Sequence, residues 1–162
     1  GSHVTRFKLG DRVINTYFPN WIDGEISHGK IAESPGATFD GVLAEQFVAD
    51  ESTLATIPAH LSFEEAATIS CAGITAWNAL FANTVVKPGA TALLLGTGGV
   101  SIWALQLAKA AGLRTIITSS SDEKLARARQ LGADATIFAN HGGQRVQPFL
   151  GLEGVGVVGG CA

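Results

Sequence analysis

Residues 93–112 read LLLGTGGVSIWALQLAKAAG, and this order of apolar run, glycine cluster and helical stripe constrains the fold more than any other stretch. The apolar run shows no polar alternation, so as a strand it must be covered on both faces, as in a parallel sheet flanked by helices. Beyond the glycines, Val100, Trp103, Ala104, Leu107, Ala108 and Ala111 recur at helical spacing, and Gly112 supplies the stop. A buried strand that turns on glycine into an amphipathic helix commits this region to an α/β architecture.

The flanking sequence continues the pattern. Lys87-Pro88-Gly89 is a turn signal before the strand TALLL, RTIITS reads as a second buried strand, and ATIF as a short third one. Between the last two, Ser120-Ser121-Asp122-Glu123 opens a helix through LARARQLG that stops at Gly132. Strand–helix–strand–helix–strand is half of a doubly wound, Rossmann-type parallel sheet with right-handed crossovers; the other half is expected to be absent. Upstream, Ser62-Phe63-Glu64-Glu65 is a capping box, and Ile69, Gly73, Ala76 or Trp77, and Leu80 predict a helix with one buried face.

Residues 4–57 read differently. DRVINTYF has strand composition, PNWIDG is a turn cluster, and HGKIAESPGATFDG reads as a loop. GVLAEQFVAD alternates as a half-buried strand would, with Val42, Ala44 and Val48 on one face. Beyond Asn140 the periodicity fails. The expected organisation is a tag-like remnant at 1–3, a β-rich segment at 4–57, an α/β segment at 58–140 and a tail at 141–162.

Composition narrows the function classes. With 46% hydrophobic and 15% charged residues the chain is globular, and a net charge of −3 without a basic run argues against nucleic acid or an anionic membrane as partner. No apolar run is long enough to span a bilayer. Cys71 and Cys161 lie far apart, which argues against a disulfide framework and favours a cytoplasmic protein.

Gly96, Thr97, Gly98, Gly99, Val100 and Ser101 fit G-x-G-x-x-[G/A] if a serine fills the third small position. In such a loop the first glycine permits the turn, the second lets a pyrophosphate approach the backbone, and the third lets helix and strand pack. The amides at the helix start then receive the anion. The competing reading is a tight structural turn. An NAD site places an acidic residue at the end of the second strand for the ribose 2′-hydroxyl. This chain offers Ser119, Ser120 and Ser121 there, with Lys124 one turn further, which tolerates a 2′-phosphate; NADP(H) is therefore favoured, with NAD(H) as second choice. The serines could instead simply cap the helix, with Ser120 serving both ends.

CAGITAWNAL, VKPGATALLLGTGGVSIWALQLAKAAG and TSSSDEKLARARQLGADATI resemble the medium-chain dehydrogenase/reductase superfamily, in particular its zinc-type alcohol dehydrogenase-like and quinone oxidoreductase-like branches. VTRFKLGDRV, NTYFPNWIDG and FDGVLAEQFV resemble the same branch, so the similarity spans residues 4–137. The resemblance implies an NADP(H)-dependent oxidoreductase acting on a small alcohol, carbonyl, quinone or enone. It further implies a partial GroES-like β-barrel ahead of the partial Rossmann domain, in a truncated or rearranged chain. The rival is a non-catalytic nucleotide-binding or scaffold remnant that pairs with another chain; either way a homo-oligomer is expected. PFLGLEGVGVV resembles a family stretch lying just upstream of the VTRFKLGDRV pattern, so the tail either returns as a barrel strand, as in a permuted chain, or is an unrelated glycine–valine segment.

The same resemblance bears on single residues. Cys71 matches one zinc ligand of zinc-using relatives, whose ligand histidine would fall at Leu152, beside Glu153. One donor of three cannot hold the metal, so no zinc is expected, and Cys71 is alternatively a small buried helix residue. Thr75 matches a position near the nicotinamide, or is a helix hydroxyl bonded back to a carbonyl. Tyr17 is the only tyrosine, a candidate proton donor to a carbonyl oxygen or an amphipathic barrel residue. His28, His60 and His141 show no ligand spacing.

Overall fold

The computed structural model describes residues 3–82, 85–140, 143–146 and 155–159, in two units, Gly1–Cys71 and Ala72–Ala162.

In the first unit β1 (Val13–Asn15) pairs antiparallel with β2 (Leu54–Thr56), Val13 opposite Thr56 and Asn15 opposite Leu54. Much of the rest is tied by polar side chains. Glu51 accepts the amides of Thr5 and Arg6 at 2.9 and 2.7 Å, and Lys30 Nζ donates to the carbonyls of Asp23 and Glu25 at 2.6 and 2.8 Å. Lys30 lies on α1 (His28–Ile31), a single helical turn inside the stretch expected to be loop.

The strand expected over 41–50 does not form. The Ala44 amide bonds the Val42 carbonyl at 2.9 Å, a three-residue turn that reverses the backbone within the alternating run. Val48 is then 96% exposed and Leu43 fully so. Alternation predicts a strand only where a neighbouring strand takes up its amides and carbonyls, and none does here among the described residues.

The capping box forms as read at α2 (Phe63–Ala66): Ser62 Oγ accepts the Glu65 amide at 3.1 Å, and Glu65 Oε2 accepts the Ser62 amide at 2.8 Å. The helical path continues through wide π-type turns at Ile69–Gly73 and Asn78–Ala82, on either side of α3 (Ile74–Trp77). Gly73, Ala76 and Leu80 are buried, whereas Trp77 is 53% exposed. Ala66, Gly73, Ala76 and Leu80 thus keep helical spacing on one narrow buried face, and Trp77 falls beside it.

The second unit holds the sheet. β3 (Thr91–Leu95), α4 (Gly99–Ala110), β4 (Arg114–Ser119), α5 (Asp122–Gln130) and β5 (Ala135–Asn140) follow the expected alternation. β6 (Gly143–Val146) and β7 (Val155–Gly159) complete the spatial order β6-β5-β4-β3-β7. β7, β3, β4 and β5 are mutually parallel, and β6 is an antiparallel edge. Leu94, Leu105, Ile116, Ile117 and Leu125 are fully buried, each worth about 1.5–3 kcal/mol relative to exposure.

Both helices close the same way. At the end of α4 the Gly112 amide bonds Lys109 O at 3.1 Å and the Leu113 amide bonds Ala108 O at 2.9 Å. This geometry needs the left-handed φ of +74° at Gly112. Gly132 and Ala133 repeat the pair of bonds on Arg129 and Ala128 at the end of α5.

The tail corrects the expectation of a returning barrel strand. Val155–Gly159 runs parallel beside β3, with Val157 opposite Leu93, and does not pair with β1 or β2. The order β5-β4-β3-β7 is the 3-2-1-4 order of a doubly wound sheet, so the first strand beyond the switch point is present. A short β-branched and glycine run fits beside a central strand covered on both faces, which explains the placement.

Candidate dinucleotide-binding site

In an open α/β sheet the ligand crevice lies at the carboxyl ends of the strands where their order reverses, here between β3 and β7. The glycine loop stands at that end of β3. Gly96 turns the chain with φ +80°, a conformation that a side chain would strain. Its amide donates to Thr118 Oγ1 at 2.8 Å, and Thr97 Oγ1 shares a hydrogen bond with Ser119 Oγ at 2.9 Å.

Gly98 caps α4 without a side-chain bond to the first turn, and that turn carries no acidic residue. A β-carbon added at Gly98 would meet nothing within 4 Å, so open space lies beside the residue that precedes the helix, whereas one at Gly99 would meet Ala72 Cβ at 3.5 Å. Uncapped amides, a helix dipole and free approach are what a pyrophosphate requires. Ser101, in the third small position, is 1% exposed and donates to Leu95 O at 2.9 Å, so its hydroxyl is satisfied within the close strand–helix contact. Gly99 and Val100 lie in the same first turn.

At the end of β4 the three serines separate in role. Ser119 is 7% exposed; its oxygen also accepts the Ser121 amide at 3.3 Å. Ser121, not Ser120, caps α5, accepting the Lys124 amide at 3.3 Å. Ser120 and Lys124 are exposed. A cleft of about 380 Å³ opens beside them, lined by Thr97, Ile102, Gln106, Lys124, Arg127 and Leu131. Arg127 escaped the sequence reading; its signal was the i, i+3 spacing from Lys124, which puts both cations on one face of α5.

At the amino ends of the strands, Asp134 accepts from Lys109 Nζ at 2.8 Å and from the Thr115 amide and hydroxyl at 2.7 and 2.9 Å. Burial pushes its carboxyl up, but the bonds from Lys109 and Thr115 together outweigh this and hold it below the ordinary carboxylate range. This clasp joins α4 to the starts of β4 and β5, a structural role.

The remaining candidates are dispersed. Tyr17 belongs to the first unit, 38% exposed, with its ring edge-on to Phe18 at 4.7 Å. Thr75 is exposed on α3. Cys71 is exposed as well, which corrects the buried-helix reading; two residues before the buried Gly73, it lies on the opposite side of the helical path. Among the described residues no three His, Cys, Asp or Glu side chains gather as a metal site would require, so no step through zinc is derived. His141, Leu152, Glu153 and Cys161 lie outside the described residues. No helix among those described is long and apolar enough to cross a membrane.

Sheet order, loop geometry and open helix start define an α/β protein of the dinucleotide-binding class. Comparisons with known proteins place it further. Residues 99–162 match the family described as Zinc-binding dehydrogenase. A zinc-type alcohol dehydrogenase-like protein of Schizosaccharomyces pombe is 45% identical over 159 residues, covering 96% of this chain and 46% of that protein. The crystal structure of a putative alcohol dehydrogenase from Sinorhizobium meliloti superposes with a TM-score of 0.78 at 45% identity, covering 84% of this chain and 41% of that one. A quinone oxidoreductase from Thermus thermophilus, whose structures include a complex with NADPH, gives 0.56 at 35% identity over 60% of this chain and 33% of its own. The chain belongs to the medium-chain dehydrogenase/reductase superfamily, and it spans less than half the length of the curated relatives it matches.

Proposed function

We propose that this chain carries the cofactor-binding part of an NADP(H)-dependent oxidoreductase acting on a small alcohol, carbonyl, quinone or enone. The observation that carries the reading is the uncapped start of α4, with open space over Gly98 and no acid in its first turn. The amides of Gly99, Val100 and Ser101 would take the pyrophosphate. Ser120, Ser121, Lys124 and Arg127 would face the adenosine ribose, where cations favour a 2′-phosphate that a carboxylate would repel. NAD(H) is the alternative cofactor. When bound, the nicotinamide supplies or accepts the hydride.

By family resemblance Thr75 is assigned a contact near the nicotinamide; Tyr17, the only tyrosine of the sequence, is assigned the delivery of a proton to a substrate carbonyl oxygen. Residues 4–57 are assigned to a GroES-like catalytic domain and 58–140 to the dinucleotide domain, in a cytoplasmic homo-oligomer. The reaction is assigned as zinc-independent, because Leu152 stands where the family's ligand histidine would fall. Metal analysis after chelator-free purification should then find well below one zinc per chain.

A second reading, a non-catalytic scaffold that pairs with another chain, is favoured by the exposed apolar side chains of Leu9, Ile22, Leu43 and Val48. Calorimetric titration with NADPH and then NADH separates the two. Binding with a clear preference for NADPH is expected; binding of neither would overturn the oxidoreductase reading and leave the scaffold.

A further inference from the structure

We propose that the hydroxyl pair of Thr97 and Ser119 is a positioning device that sets the glycine loop against the end of β4 before any cofactor arrives; the inference rests on the cofactor reading above. In a Rossmann site the residue ending the second strand reaches out to the ribose. Ser119 ends that strand but does not reach out. It is more than nine-tenths buried, and its oxygen is engaged by Thr97 Oγ1 at 2.9 Å and by the Ser121 amide at 3.3 Å. One residue earlier, Thr118 Oγ1 accepts the Gly96 amide at 2.8 Å.

Two successive loop residues, 96 and 97, are thus fastened to two successive residues of β4, 118 and 119. The fastening joins the segment that would hold the pyrophosphate to the one that would face the ribose. Ser119 therefore acts through the loop, and ribose recognition falls to the exposed Ser120 and Lys124 beyond it. A loop ordered in the fold loses less entropy on binding, so removing the pair should weaken every ligand that uses the loop, whatever its ribose carries.

The test titrates the full chain and its variants Thr97→Val, Ser119→Ala, the double variant and Thr97→Ser with NADPH and with NADH, alongside thermal melts. Thr97→Val should weaken both dinucleotides by the same factor, about fivefold to tenfold, as expected for one lost hydrogen bond, and Ser119→Ala, which also frees the Ser121 amide, should weaken both by at least as much. The double variant should bind no worse than the weaker single, and Thr97→Ser should restore the affinity. Affinities within twofold of the unaltered chain, additive losses, or a loss confined to NADPH would each overturn the pair. If Ser119→Ala melts too low to titrate, Thr97→Val with its Thr97→Ser rescue decides alone. An unaltered chain that binds neither dinucleotide overturns the cofactor reading and this inference together. Binding by the unaltered chain with undiminished variants overturns only the inference.

Discussion

The two units of this chain use apolar residues in opposite ways. In the α/β unit Leu94, Leu105, Ile116, Ile117 and Leu125 disappear from solvent between a parallel sheet and its helices. In the first unit Leu9 and Leu43 are fully exposed and Val48 nearly so, while Ile57 and Ala66 are the buried apolar side chains among the described residues. The contrast is one of sequence distance. β3 and β4 of the α/β unit are each followed within a few residues by a helix that packs on the sheet, so nearest neighbours bury one another. The short strands β1 and β2 pair across some forty residues of intervening chain; Lys30 clamps part of that chain, and Glu51 ties it back to Thr5 and Arg6 ahead of β1.

The sharpest way to break this comparison is truncation of equal side chains in the two places. Leu94→Ala should cost about 2–5 kcal/mol, the range for emptying a packed leucine site. Leu43→Ala should stay within about 0.5 kcal/mol, as exposed positions do. Urea unfolding of both variants measures the difference, and equal losses would show that the first unit has a core of its own.

A second contrast concerns ligand binding. Lys124→Glu should weaken NADPH by about 1.5–3 kcal/mol, the scale of a charge-assisted bond, and NADH far less. Tyr17→Phe, in the first unit, should leave both affinities unchanged. An equal effect of Lys124→Glu on the two cofactors would remove the case for a 2′-phosphate at α5.

Ser62→Ala tests whether local signals also count in the first unit. It should cost about 1 kcal/mol, the usual worth of a helix cap, read by chemical denaturation. A neutral result would mean that tertiary contacts alone hold that helix start.

The smallest expected effect is a pH dependence. The bonds to Lys109 and Thr115 depress the Asp134 carboxyl, against burial. A group whose folded value lies below its unfolded value of about 4 stabilises above that pH and loses the contribution as pH falls through the folded value. Melting of the α/β unit should therefore decline on acidification below about pH 4, and Asp134→Asn should flatten that decline. An unchanged profile in the variant would assign the acid response to other carboxylates, such as Glu51, held down first by the Arg6 amide and then by the Thr5 amide.

Legibility in the sequence followed the reach of each signal rather than the division into units. The capping box at Ser62 and Glu65, the strand TALLL, the glycine loop and the stops at Gly112 and Gly132 are signals complete within a few residues, and each is found where it was read. GVLAEQFVAD misled because alternation is necessary for a half-buried strand but does not supply its partner. Cys71 and Trp77 came out exposed because the buried face is narrow and runs through the small residues Ala66, Gly73 and Ala76 to Leu80, and periodicity does not give the width of a face. Ser121 rather than Ser120 became the cap because the start of α5 depends on where β4 releases the chain.

By itself the sequence determined the local grammar of the α/β unit, since burial on both faces, glycine turns and helix ends are each written in neighbouring residues. Only the tertiary structure decided the position of Val155–Gly159 beside β3, the bond between Thr97 and Ser119, and the placement of Arg127 beside Lys124 on one cleft. The physical reason is that these depend on which strands pair and how two helices lie over them, and such choices are settled by the summed burial of the whole sheet.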